Sequence, residues 1–162
     1  DRSVSRGLGD VYKRQGLYSL KFPASLETIG EEAFANLEPY IGSYPSLNYI
    51  FFEKGSKLKT VGQEAFYRAL NHGGIIYMQH CTQVETLGRH TFKEDIASKF
   101  YFGTKTPPQG GFPFAQGGYV NAWTVDIYVP KLYVDAYRKL WSNDYDVQGR
   151  FMALEDNMPE DK

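Results

Sequence analysis

Three histidines, one cysteine and a handful of carboxylates are the residues with which this chain could do chemistry, and their spacing decides whether they can act together. His80 and Cys81 are adjacent, and neighbouring residues rarely turn both side chains toward one ion; the spacings that zinc and Cys-His sites use are absent. His72-Gly73-Gly74 matches the HGG turn used in ester hydrolysis, but no G-x-S-x-G elbow accompanies it. Gly7-Leu8-Gly9, Gly110-Gly111 and Gly117-Gly118 lack the strand-to-helix setting and the third glycine of a phosphate loop. Glu31, Glu32, Glu64 and Asp126 could pair as acid and base, yet they occupy repeat-equivalent or loop positions where solvated charge is the ordinary state. His90 falls at the same repeat position as Glu32 and Glu64, an outer, solvated one. The sequence therefore predicts no catalytic residue, no metal site and no cofactor, and the chain is read as a non-enzyme.

The elements around these residues point elsewhere. At 162 residues with 42% hydrophobic and 23% charged residues the chain is globular and about one domain long. Its 18 basic and 19 acidic residues leave a net charge of −1, so no bulk field draws it to nucleic acid or an anionic membrane. One cysteine excludes an internal disulfide framework. No apolar run approaches the roughly 20 residues of a membrane-spanning helix. Asp1–Gln15 has neither helical nor strand periodicity and carries four Arg/Lys. It resembles the conceptual translation of a sequencing adapter and is set apart from the fold as a non-native, disordered leader, with the native start expected upstream; the alternative is a basic linker.

The remainder repeats. Leu26-Glu27-Thr28-Ile29-Gly30-Glu31-Glu32-Ala33-Phe34, Leu58-Lys59-Thr60-Val61-Gly62-Gln63-Glu64-Ala65-Phe66 and Val84-Glu85-Thr86-Leu87-Gly88-Arg89-His90-Thr91-Phe92 share one word, apolar-x-Thr-apolar-Gly-x-x-(Ala/Thr)-Phe. Each follows an apolar-x-apolar triplet: Leu20-Lys21-Phe22, Ile50-Phe51-Phe52 and Ile76-Tyr77-Met78. Phe100-Tyr101-Phe102 and Ile127-Tyr128-Val129 keep only the triplet. No single unit can bury its apolar edge alone, so the units are expected to stack into a solenoid with a parallel sheet along one side. Gly30, Gly62 and Gly88 are expected at turns that need φ > 0, and Phe34, Phe66 and Phe92 between successive coils.

SLKFPASLETIGEEAF, together with Thr106-Pro107-Pro108, Ile127-Tyr128-Val129-Pro130 and Val134-Asp135-Ala136-Tyr137, resembles the BspA-type leucine-rich repeats of gut and oral Bacteroidetes and some protists. The likeness covers about Leu17 to Tyr145; it departs in the long Ala35–Ser46 loop and in Glu53-Lys54-Gly55, which replaces a proline turn. It implies a mainly β, leucine-rich-repeat-like solenoid, secretion or display at the cell surface, and attachment to protein or glycan. The expected layout is leader 1–15, repeats 16–129, and a C-terminal cap with a frayed acidic tail over 130–162. Leu132, Ala136 and Leu140 recur at helical spacing and give the cap its expected buried stripe, with Tyr137 beside it.

The triplets carry one positive feature. If their outer members point inward, Lys21, Phe51, Tyr77, Tyr101 and Tyr128 align on the opposite face at the strand spacing of about 4.8 Å, with Tyr49 and Ile75 in the next column. Tyr49, Phe51, Tyr77, Tyr101 and Tyr128 are thus the candidate ligand surface, for a protein or glycan partner on a monomeric chain. Two plainer readings stand beside it: aromatics favour strands and support one another there, and the loops Ala35–Ser46 and Gly110–Trp123 could cover them. The function expected is a non-catalytic binding module; the alternatives are a spacer that presents another domain, or a hydrolase fragment.

Overall fold

A computed structural model describes residues 18–36, 47–93, 97–114, 123–141 and 147–160. Among these the chain forms strands β1 (Ser19–Phe22), β2 (Thr28–Ile29), β3 (Leu47–Phe52), β4 (Thr60–Val61), β5 (Leu70–Met78), β6 (Thr86–Leu87), β7 (Ala97–Phe102), β8 (Trp123–Val129) and β9 (Val147–Ala153). A 3-10 turn over Lys131–Tyr133 leads into one short helix, α1 (Val134–Trp141), between β8 and β9. The strands pair in parallel as a long sheet, β1-β3-β5-β7-β8-β9, and a short one, β2-β4-β6. The result is the repeat solenoid expected, mainly β, of about four turns.

Alternation within each triplet sets the core. Leu20, Ile50, Ile76, Phe100 and Ile127 stand in register across the long sheet, and all are buried. Phe22, Phe52, Met78, Phe102 and Val129 form a second buried row. Opposite them, Ile29, Val61 and Leu87 close the core from the short sheet. Phe34, Phe66 and Phe92 stack at 5.3 and 5.4 Å between centroids, within 10° and 16° of parallel. Backbone bonds run from coil to coil beside them: Phe34 N donates to Ala65 O, and Phe66 N to Thr91 O.

The glycines of the repeat word serve a different purpose from the one expected. Gly30, Gly62 and Gly88 do not take positive φ; that conformation falls two residues later, on Glu32 (φ 53), Glu64 (φ 51) and His90 (φ 58). What Gly62 and Gly88 supply is absence of bulk. A Cβ on Gly62 would lie 2.4 Å from Glu31 N, and one on Gly88 would lie 2.4 Å from Gln63 N. The coils touch backbone to backbone there, while Gly62 N donates to Ile29 O and Gly88 N to Val61 O.

Three further expectations change. The fourth coil retains more than its strand: Gln109 bridges to Thr86, a Cβ on Gly110 would meet Leu87 O at 1.9 Å, and Phe114 stacks on Phe92 at 5.4 Å. The stripe assigned to the cap helix faces solvent, with Leu132 91% and Leu140 45% exposed and Ala136 exposed as well. The buried face is Tyr133-Tyr137-Trp141, of which Tyr137 and Trp141 enter the core beside Phe102 and Phe100. Aromatic rings bury more area than the aliphatic side chains on the other face, and the Tyr137 hydroxyl finds a partner at Thr104 O, 2.8 Å away. Finally, β9 adds a strand inside the region read as cap and tail, and pairs with β8 over seven residues. The leader 1–15 lies outside the described residues.

Close approach at the glycine edge predicts unequal costs for one added methyl group. Gly88→Ala lowers stability by about 3 kcal/mol, the upper range for overpacking. Gly55→Ala, where φ is +78° but nothing lies within 4 Å, costs about 1 kcal/mol for the left-handed conformation alone. Urea unfolding of both variants measures this, and equal losses would contradict it. Phe66→Ala, which interrupts the inner stack, costs about 3–5 kcal/mol.

Candidate functional site: the outer aromatic face

Parallel pairing places Lys21, Phe51, Tyr77, Tyr101, Tyr128 and Met152 in one line across the outer face of the long sheet. Phe51 stacks on Tyr77 at 4.9 Å and 10°, Tyr77 on Tyr101 at 5.4 Å and 4°, and Tyr101 on Tyr128 at 4.5 Å and 11°. The spacing is that of the strands, so each ring lies flat on the next. Tyr49 leans on Phe51 at 5.8 Å and receives the edge of Tyr18 at 5.4 Å. In its own column Tyr49 is followed by Ile75, Lys99, Asp126 and Arg150. That column ends in an ion pair, with Arg150 Nε donating to Asp126 Oδ1 at 2.7 Å.

All five candidate residues are therefore brought together, but not as an open ribbon. Tyr77, Tyr101 and Tyr128 are 6–7% exposed, while Tyr49 and Phe51 are half-buried. Stacking is one cause, since interior rings cover each other's faces and turn only edges outward. The other is Leu154, itself buried, which joins the same apolar cluster. The loops expected to cover the column fall largely at 37–46 and 115–122, outside the described residues.

The C-terminal tail, expected to fray, is tied down over its first turn, Leu154–Asn157. Leu154 N donates to Val129 O, Asn157 N turns back to Leu154 O, and the Asn157 amide donates to Ala153 O. Lys131 binds it twice, through its N–H to the Glu155 carboxylate at 2.7 Å and its ammonium to Asp156 at 3.0 Å. Beyond this turn Glu160 reaches a cleft that Lys21, Phe51 and Tyr77 also line. Leu154 and Glu160 thus bring the tail to the outer face. Sequence reasoning missed it because β9 was not recognised; once β9 is seen, Met152 and Leu154 continue its outward-facing alternation.

Burial raises the phenol pKa of Tyr101, helped by the neighbouring Tyr128, Tyr77 and Asp126; burial and Asp126 do the same for Tyr128, against Arg150. Cys81 belongs to the core. Its thiol faces Ser56 Oγ at 3.6 Å, and Thr104 Oγ1 donates to its carbonyl at 2.7 Å. Burial pushes that thiol up to about 12, against a small lowering by Ser56. Among the described residues no three His, Cys, Asp or Glu side chains are grouped to hold a metal, and no helix is long and apolar enough to cross a membrane.

No protein family, curated protein or solved structure matches the chain.

Raised pKa values at Cys81, Tyr101, Tyr128 and Tyr137 make stability depend on alkali. Each group holds its proton more tightly folded than unfolded, so its contribution is complete below the unfolded value and is lost as pH rises. Unfolding free energy should be flat from pH 7 to about 9 and fall above that, as urea titrations at stepped pH would record. At pH 8 a disulfide-based thiol reagent should leave the native chain untouched and react only in denaturant. Rapid reaction with the folded protein would place Cys81 elsewhere than in the core.

Proposed function

We propose that this chain is a non-catalytic binding module of a secreted or cell-surface repeat protein, which engages a protein or glycan through the outer face of its long sheet. The observation that carries the reading is the ladder Phe51–Tyr77–Tyr101–Tyr128 with Tyr49 at its flank. A sheet needs no aromatic ladder on its solvent side to be stable, and rings on a rigid sheet give contact area at low entropic cost. Accessibility concentrates at the β1 and β3 end, where Tyr18 is 60% exposed and Tyr49 and Phe51 are half-buried. The resemblance to surface-displayed repeats supports the location; fold alone does not assign a role.

A second reading has an observation in its favour. The burial of Tyr77, Tyr101 and Tyr128 under ring neighbours and Leu154 is what a structural spacer would show, with the ladder stiffening the solenoid and the partner surface carried by another domain.

Binding of the purified chain to immobilised matrix proteins and glycan arrays separates the two. The binding reading expects capture that weakens at least about tenfold, roughly one good contact, in the double variant Tyr49→Ala/Phe51→Leu with unchanged folding. Absence of capture, or capture indifferent to that variant, would favour the spacer.

A further inference from the structure

Stacking leaves a ladder with only two ends, and the ends differ. Tyr128 is followed by Met152 and lies in the cluster that Leu154 joins; it is 7% exposed. Phe51 is followed by Lys21, which has no ring, and the rings that touch Phe51 are Tyr49 beside it and Tyr77 behind it. Among the described residues no other ring lies on the β1 side of Phe51, where Lys21 is its in-register neighbour. A cleft of about 390 Å³ opens at the C-terminal ends of β1, β3 and β5, lined by Lys21, Phe51, Tyr77 and Gln79, with Glu160 of the tail as one wall. That is at the small end of the range for ligand pockets, about 300–1,000 Å³.

Gln79 marks this cleft as more than a dent. It is 8% exposed, and among the described residues its Oε1 has no hydrogen-bond partner. An orphaned buried acceptor costs free energy in the unliganded protein, and native structures rarely keep one without cause. The acceptor calls for a ligand that donates. The charged groups of the cleft balance: Lys21 and Lys54 face Glu53 and Glu160, and Glu53 already accepts from Ala24 N. Such a lining selects neither anion nor cation. A hydroxyl suits it best, because it donates to carboxylate and amide oxygens and accepts from ammonium groups.

We propose that this cleft is a saccharide-binding site, with the Phe51 ring as the platform and Gln79 Oε1 as the buried acceptor. A pyranose with equatorial hydroxyls matches both requirements, since its axial C–H groups form an apolar face for the ring while its rim carries donors. The cleft takes one terminal or near-terminal sugar unit. The inference rests on the outer face being the binding face, and narrows its ligand to carbohydrate.

Cellobiose and methyl β-glucoside are suitable probes, because their equatorial hydroxyls expose that axial face. With the full chain, saturation-transfer NMR should show transfer from the protein to the axial ring protons. Phe51→Leu, which keeps bulk and removes the flat ring, should abolish it. Gln79→Leu should weaken calorimetric binding about tenfold, as expected for one hydrogen bond to a buried acceptor. The same variant should raise the melting temperature of the free chain by removing the orphaned carbonyl, a change opposite to that of a merely structural glutamine. Leu132→Ser, in the exposed 3-10 turn before α1, should change neither readout. No transfer from the intact chain, or transfer indifferent to Phe51→Leu and Gln79→Leu, would overturn the proposal. If the chain is captured by matrix proteins through Tyr49 and Phe51 but takes no sugar, the saccharide site fails and the binding face stands. If neither probe nor array binds, both fail.

Discussion

The close approach of successive coils at Gly62 and Gly88 is the constraint on which the other packing depends. Sheet hydrogen bonds fix the rise per coil at about 4.8 Å on the strand side. The opposite side must keep the same rise, or the solenoid wedges open. With backbone already in contact there, a methyl group would meet Glu31 N or Gln63 N at 2.4 Å, and the coils would tilt apart across the phenylalanine stack. Because both sides rise together, rings on successive coils arrive at stacking distance on the inner and outer faces alike.

The inner and outer ladders use one geometry for opposite ends. Phe34, Phe66, Phe92 and Phe114 stack in a dry core, where every ring also meets aliphatic neighbours. The outer rings stack with a sheet behind them and little in front, and Leu154 supplies what cover the described chain gives. On that face, mutual stacking turns a row of potential platforms into a row of edges. The stack of rings stops at its end, where the sequence changes from Phe51 to Lys21.

Much of this was legible in the residues. Period-two alternation told inward from outward at every triplet, and the repeat word located the coils, because both depend on local spacing alone. The purpose of the glycines was not legible: positive φ and close approach call for the same residue, and only the neighbouring coil distinguishes them. The fourth coil escaped notice because it keeps Gly110 and Phe114 at the right separation but loses the apolar-x-Thr word before them. In the helix, Leu132-Ala136-Leu140 and Tyr133-Tyr137-Trp141 share one period, and hydropathy favoured the wrong face. The exposure of the aromatic column depends on a tail more than 70 residues along the chain from Tyr77, a relation that no local pattern encodes.

That tail alters how the molecule comes apart. In a simple stack each coil is held only by its neighbours, so loss of order at one end need not be felt at the other. Here the turn after β9 is tied back to the coil before it, through Leu154 N to Val129 O and Lys131 to Glu155 and Asp156. The last strand is therefore fastened to its neighbour beyond its own ladder. Peeling β9 away breaks these bonds as well as the ladder to β8. The terminal coil, which has one neighbour instead of two, thereby gains a latch of its own.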